Sequence, residues 1–337
     1  ICSHLGRPNG NRVKSLSMET ILPVLRSYLN NRNVKFTQDC YGDNVTDLIS
    51  CMKRKELLML ENTRFWSGET NNESSMAKSL ADLADIFVND AFGVAHRSHA
   101  STVGVARYLP SVAGLLLSKE LQYLERVVTN PEYPFVVILG GAKILDKIVV
   151  VERLIEQADC VLVGGAMANT FMKASGIEVS ESLVENGAIG IAAQLLERAG
   201  DKLILPKDVI VADDMKVGAK KRCITVEHGV DVGYRIVDVG PETVKLFEKY
   251  ISDAKMILWN GPMGAFEISD FACGTNDIAR SVAYSEAVSI VGGGDSASAV
   301  HQSGYASRIS HVSTGGGAAL EFLSGNILPA VEVLDQM

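Results

Sequence analysis

Five short strand-like segments in the second half of the chain each lead into a glycine corner, and this repeat limits the fold more than any other feature. Residues 136–139 run into GGAK, 161–163 into GGAM, 256–259 into NGPMG, 288–291 into GGGDSA and 311–313 into TGGGAA. Apolar runs this short, closed by glycine, read as strands buried on both faces of a parallel sheet. Strands over 202–205 and 209–211 and helical patterns over 183–199 and 242–252 fill out an α/β unit. One glycine corner needs no ligand, because tight turns select glycine anyway. Five in one unit describe a sheet edge stripped of side chains for a ligand with phosphates.

The corner at residues 135–147, FVVILGGAKILDK, is the most concentrated of the five. Free N–H groups where the strand turns into a helix favour an anion, and Lys143 and Lys147, four apart, share one helix face and add positive charge. Taken alone, the segment reads equally well as an ordinary strand-to-helix turn with solvated lysines. The dipeptide GK is absent, which excludes the P-loop, and no GxSxG elbow supports a serine hydrolase. Residues 292–297, GGGDSA, match the GxGxxA dinucleotide fingerprint, but no clear acidic residue ends the next strand to hold a ribose. Asp295 suits a magnesium ion bound to phosphates or a helix cap, and the two roles are compatible.

The first half alternates helices (18–29, 44–52, 73–84) with strands (34–36, 57–60, 86–88), and residues 1–2 look like the tail of a strand. Strand exits carry basic residues: His4 and Arg7 in SHLGRP, Arg64 in ENTRF, and His96, Arg97 and His99 in NDAFGVAHRSH. Each alone is an ordinary solvated loop residue. Delivered together to one edge of a parallel sheet, they form a pocket for a small, multiply charged anion, since arginine forks match oxyanions bidentately. His96 and His99 also have the form of a metal pair, but no cysteine or carboxylate stands nearby at ligand spacing.

The chain of 337 residues exceeds one typical core, so two domains are expected, with a helix over 113–130 joining them or closing the first. A net charge of −8 argues against a nucleic-acid partner. The apolar runs are too short to cross a membrane. Six scattered cysteines without a CxxC pair speak against a zinc site or disulfide framework and for a reducing compartment.

The blocks SHLGRP, LENTRF, NDAFGVAHRSH, ILGGAKILDK, WNGPMGAFE, VGGGDSA and HVSTGGGAALE, in this order, closely resemble the phosphoglycerate kinase family. The resemblance implies two doubly wound, Rossmann-like α/β domains with a cleft between them: an N-terminal substrate domain over 1–112, an interdomain helix over 113–130, a nucleotide-binding domain over 131–324, and a tail over 325–337 returning to the first. It implies reversible phosphoryl transfer between 1,3-bisphosphoglycerate and ADP, giving 3-phosphoglycerate and ATP, with Mg2+ and with domain closure about the helix excluding water. His4, Arg7, Arg64 and Arg97 then bind substrate. Lys143, Gly294 and Gly317 surround the transferring group. Gly141, Lys143, Lys147, Asn260, Pro262, Glu267, Gly292, Gly293, Gly294, Asp295 and Ser296 bind nucleotide, with Asp295 on the metal. The accompanying expectations are a monomer in the cytoplasm or an organelle, without nucleic-acid or membrane partners.

The chain departs from the family pattern at its start, where an RVDFNVP-like strand and a following arginine are expected and absent. The first domain should therefore show unpaired strand edges and bare apolar helix faces. This departure admits a second function class, a nucleotide-binding remnant without turnover.

Overall fold

The computed structural model of the chain describes residues 1–30 and 33–334. Contacts divide it into two units, one of Ile1–Ser118 with the chain's end from Ile327, the other Lys119–Asn326. Of the tail expected over residues 325–337, residues 335–337 lie outside the described residues.

In the first unit β1 (Val34–Phe36) pairs in parallel with β2 (Leu57–Met59), and β3 (Phe87–Asn89) with β4 (Ser111–Ala113). Residues 1–3 extend the first pair: the Ile1 amino group donates to the Leu58 carbonyl at 2.5 Å, the Leu60 N–H to the Ile1 carbonyl at 2.9 Å, and the Thr63 N–H to the Ser3 carbonyl at 3.1 Å. The two parallel pairs are separate sheets among the described residues. A groove of about 790 Å³ separates them, lined by Ile1, Cys2 and Leu58 on one side and by Phe87 and Val88 on the other. Helix Ser74–Ala81 packs on the first pair: Met76, Ala77 and Leu80 lie with Leu58 and Leu60 in one buried cluster. Helix Leu22–Tyr28 carries Pro23 in its first turn, where a missing N–H costs no hydrogen bond.

In the second unit β5 (Phe135–Leu139), β6 (Cys160–Val163), β7 (Leu203–Ile204), β11 (Met256–Asn260), β12 (Val288–Gly292) and β13 (His311–Val312) form one parallel sheet in the order β13-β12-β11-β5-β6-β7. The chain grows outward from β5 to β7, then returns to the other side of β5 at β11. That reversal is the doubly wound topology, and ligands of such sheets bind at the strand ends beside the switch point, here between β5 and β11. All five residues of each central strand are buried, which is why both read as unbroken apolar runs. Trp259, Ile138, Leu162 and Phe247 lie in the core cluster of the sheet.

Three further strands, β8 (Asp208–Ala212), β9 (Lys221–Thr225) and β10 (Arg235–Val239), form a separate antiparallel sheet in the order β10-β8-β9. The sequence placed residues 209–211 in the α/β unit and showed neither partner, because β9 is mostly exposed and its residues KRCIT make no apolar run. Helices Gly165–Ala174 and Cys273–Tyr284 were hidden by glycine in their first turns. The helix expected over 183–199 begins only at Ile189, since residues 186–188 form a tight 3-10 turn.

Candidate nucleotide and anion sites

In the first unit the ENTRF segment is fixed before its arginine is presented. Buried Glu61 accepts hydrogen bonds from the Ser17 hydroxyl at 2.7 Å and from the N–H groups of Met18 and Asn62 at 2.8 and 2.7 Å. Asn62 Nδ2 donates to the carbonyls of Leu5 and Leu16, both at 2.8 Å, tying the SHLGRP loop to the Arg64 turn. Arg64 is itself buried and its Nη1 donates to the Gly6 carbonyl at 2.9 Å, while its Nε has no hydrogen-bond partner among the described residues. Burial and the neighbouring charges of Arg97 and Arg7 hold the Arg64 pKa below its usual value. Burial, Arg64, His99 and Arg97 push His4 down to about 4, so it is neutral at pH 7. Arg64 therefore feels the charges of Arg97 and Arg7, and His4 those of Arg64 and Arg97, which puts the four in one electrostatic neighbourhood.

The two HRSH histidines have different neighbours. Among the described residues no group of three His, Cys, Asp or Glu side chains is placed to hold a metal. His96 Nε2 lies 3.2 Å from the Nε of Arg97. Buried His99 has its Nδ1 3.6 Å from Oε1 of Glu69, a buried carboxylate that accepts the Ser101 hydroxyl at 2.6 Å. No local pattern assigns Glu69 a role; in the fold its charge opposes the lowering of the His4 and Arg64 pKa and so offsets part of the basic cluster.

In the second unit the five glycine corners are of two kinds. At the first three the glycines are required by the protein itself. A Cβ on Gly140 would stand 2.1 Å from the Pro262 carbonyl oxygen, one on Gly261 2.1 Å from the Gly140 oxygen, one on Gly165 2.7 Å from the Pro262 oxygen, and one on Gly164 2.5 Å from Met263 Sδ. The loops after β5, β6 and β11 press backbone against backbone, joined by the Gly141 N–H to Pro262 carbonyl bond of 3.0 Å and the Gly165 N–H to Met263 carbonyl bond of 2.9 Å. The corners after β12 and β13 are open: a Cβ on Gly294 would meet nothing within 4 Å, one on Gly292 only Asn260 Nδ2 at 3.5 Å, and one on Gly316 the Gly294 nitrogen at 3.5 Å. Space for a Cβ thus separates the five corners: those of Gly140, Gly164 and Gly261 are closed by the protein itself, whereas Gly292, Gly294 and Gly316 leave room.

The Lys143 and Lys147 expectation also changes. A 3-10 turn spans Leu145–Lys147 and the α-helix starts at Ile148, so Lys143 sits in the preceding loop and the two lysines do not share an α-helical face. Nor are the N–H groups at this turn open to an anion: Glu185 Oε2 accepts from Ile144 at 2.5 Å and from Leu145 at 3.2 Å. Lys147 Nζ reaches Asn260 Oδ1 at 2.6 Å, and Asn260 Nδ2 donates to the Gly292 carbonyl at 3.0 Å. Asn260 so links the lysine loop to the open corner. Buried Ser296 does the same from the other side, its hydroxyl oxygen accepting the Gly261 N–H at 2.6 Å.

Asp295 lies exposed in the first turn of helix Gly294–Gln302, beside the open amides. Gly317 is exposed in the first turn of helix Gly316–Leu323, and Glu267 is exposed after the turn at residues 261–266. The loop leading to Gly316 is anchored from helix Leu115–Thr129: buried Glu120 accepts the Thr314 N–H and hydroxyl, both at 2.7 Å, and pairs with His311 Nε2 at 2.7 Å. The Tyr123 ring stacks on His311 with centroids 4.7 Å apart. Burial works against the Glu120 charge, yet the bonds from His311 and Thr314 outweigh it and lower its pKa.

One unit thus gathers basic residues around buried Arg64, and the other leaves glycines open in a corner that Asn260 links to Lys147. Comparisons with known proteins agree. A family model described as phosphoglycerate kinase matches residues 1–326. The phosphoglycerate kinase of Pseudothermotoga lettingae is 48% identical over 334 residues, covering 98% of this chain and 84% of that protein. That of Rubrobacter xylanophilus is 49% identical over 336 residues, covering 100% and 85%. The solved structure of phosphoglycerate kinase from Coxiella burnetii has a TM-score of 0.87 at 42% identity, covering 100% of this chain and 85% of its own. From its sheet order, its open phosphate-type corners and these likenesses, the chain belongs to the phosphoglycerate kinase family.

Proposed function

We propose that the chain transfers a phosphoryl group reversibly between 1,3-bisphosphoglycerate and ADP. The acyl-phosphate P–O bond breaks, a P–O bond forms to the β-phosphate of ADP, and the products are the 3-phosphoglycerate carboxylate and ATP. The observation that carries this reading is the pair of open glycine corners beside Lys147, Asn260 and Asp295.

Charge dictates the division of labour. Arg7, Arg64 and Arg97 bind the acid and its phosphate, with the unpartnered Arg64 Nε directed to an oxyanion that would repay its burial. Neutral His4 serves as a hydrogen-bond partner rather than a charge. Amides of Gly292–Asp295 and Gly315–Gly317 receive the nucleotide phosphates, Lys147 is held toward them by Asn260, and Glu267 takes the ribose hydroxyls. Lys143 acts on the transferring group, whose charge spreads over three oxygens, and Gly294 and Gly317 amides share that task. Gly141 and Pro262 shape the loops beneath, and Ser296 fixes Gly261. Asp295 fits magnesium, because that ion takes one or two carboxylates and completes its shell with phosphates and water; when bound it neutralises phosphate charge. We place the enzyme in a reducing, cytoplasmic setting as a monomer, in keeping with six free cysteines; no helix among the described residues is long and apolar enough to cross a membrane.

A coupled assay with MgATP and 3-phosphoglycerate tests the reading on this chain. Turnover is expected; ADP binding without turnover would identify a nucleotide-binding remnant instead.

A further inference from the structure

The turn between Asn260 and Glu267 carries nucleotide contacts at both ends, and the structure holds it in place through a residue outside the site. Asp238 lies at the β-bulge of β10, where the register against β8 shifts between Ile236 and Asp238. It is 2% exposed, and its two carboxylate oxygens take separate donors: Oδ1 accepts the Val239 N–H at 2.9 Å, and Oδ2 the Gly274 N–H at 2.6 Å. Gly274 belongs to the first turn of helix Cys273–Tyr284, where a carboxylate also meets the positive end of the helix. The turn itself closes on this carboxylate. A Cβ on Gly264 would lie 2.4 Å from Asp238 Oδ1 and one on Gly274 2.6 Å from it. The adjoining backbone is sewn to the same elements, the Ala265 N–H to the Val237 carbonyl at 2.8 Å and the Met263 N–H to the Thr275 hydroxyl at 3.1 Å.

We propose that Asp238 is a positioning residue for the nucleotide site: its carboxylate clamps the Gly264 turn between β10 and the start of helix Cys273–Tyr284, and so sets where Glu267 and Asn260 stand. The proposal rests on the nucleotide-site reading above. Both oxygens must act as acceptors, which an ionised carboxylate does and a protonated one does at only one oxygen cleanly. Burial pushes the Asp238 pKa up to about 7, against the two amide donors; the charges that reach it are Asp277 of the same helix, which raises it, and Lys221 of β9, which lowers it. Ionisation near neutrality therefore has two opposite effects. As pH rises through about 7 the turn is gripped more firmly and nucleotide binding tightens. The folded state, whose acid is weaker than in the unfolded chain, loses stability as pH rises from the ordinary 3.8 to about 7, and that loss is nearly complete where the grip sets in.

The test compares wild type with Asp238→Asn by calorimetric titration of ADP, adenosine and 3-phosphoglycerate. Asn keeps one acceptor and turns a donor toward the other N–H, so ADP and adenosine binding should weaken about tenfold, while 3-phosphoglycerate affinity stays within twofold. Adenosine has no titrating phosphate, so its wild-type affinity should rise between pH 6 and 8 and be flat in the variant. Unchanged ADP affinity in the variant, or equal loss for ADP and 3-phosphoglycerate, overturns the proposal. If the variant does not fold, a wild-type adenosine affinity that is flat across pH 7 overturns it alone. A wild type that binds no ADP instead refutes the nucleotide-site reading.

Discussion

Gly294→Ala should make the protein more stable and a worse kinase. Gly294 opens helix Gly294–Gln302 after Gly293, whose φ of +94° absorbs the unusual backbone of the turn. A methyl group on Gly294 would meet nothing within 4 Å, and Gly294 is not among the positive-φ glycines. Replacing such a glycine removes freedom from the unfolded chain and stabilises by about 0.4–1 kcal/mol. For a unit of this size that raises Tm by roughly 1–4 °C. The same methyl group stands over an amide assigned to phosphate. Losing a hydrogen bond to a charged group costs about 1.5–3 kcal/mol, a ten- to hundredfold weaker ADP complex. Thermal unfolding and ADP titration on one preparation measure both. The contrast is Gly140→Ala, whose methyl group would lie 2.1 Å from the Pro262 oxygen and 2.6 Å from the Gly261 oxygen; it should destabilise by about 1–3 kcal/mol or more through overpacking. A Gly294→Ala protein that is more stable but binds ADP normally would refute the assignment of this corner to phosphate. Loss of stability in Gly294→Ala would refute the reading of its open space.

Lys143→Ala should lower kcat with little change in ADP affinity, by about 2.7–4 kcal/mol if Lys143 acts as one oxyanion donor does; an unaltered kcat removes it from the mechanism. Arg64→Ala should chiefly raise KM for 3-phosphoglycerate, and steady-state kinetics with that acid varied would show it; unchanged KM and kcat/KM count against its role. Glu120→Gln should destabilise the protein by about 1–3 kcal/mol in urea unfolding, because buried donors lose a charged acceptor. The Glu120 pKa lies below its ordinary 4.5 in the fold, so its contribution is present above about pH 4.5 and lost as pH falls through the lower folded value. Urea midpoints of wild type and variant should therefore converge in acid.

The doubly wound sheet was legible because β5, β6 and β11 are buried on both faces and spell nearly unbroken apolar runs, with β12 interrupted only by Ser289 before its glycines. The β8–β10 sheet was not, since β9 lies mostly exposed and strand pairing, not hydropathy, holds it. The glycine corners themselves were legible from composition alone. What the sequence withheld was why each glycine is there: GGAK and GGGD look alike, yet Gly140 is small to admit Pro262 and Gly294 faces open space. Long-range partners were equally silent. Glu185 stands 41 residues from the Ile144 N–H it accepts, and Asp238 36 residues from Gly274, and no local pattern announces either.

The seam of backbone at Gly140, Gly165 and Gly261 bears on which amides give up their hydrogens last. Loops usually exchange first, but here Gly141 and Gly165 donate to the Pro262 and Met263 carbonyls beside glycines that admit no side chain. Their amides should be protected from hydrogen exchange nearly as long as those of β5 and β11.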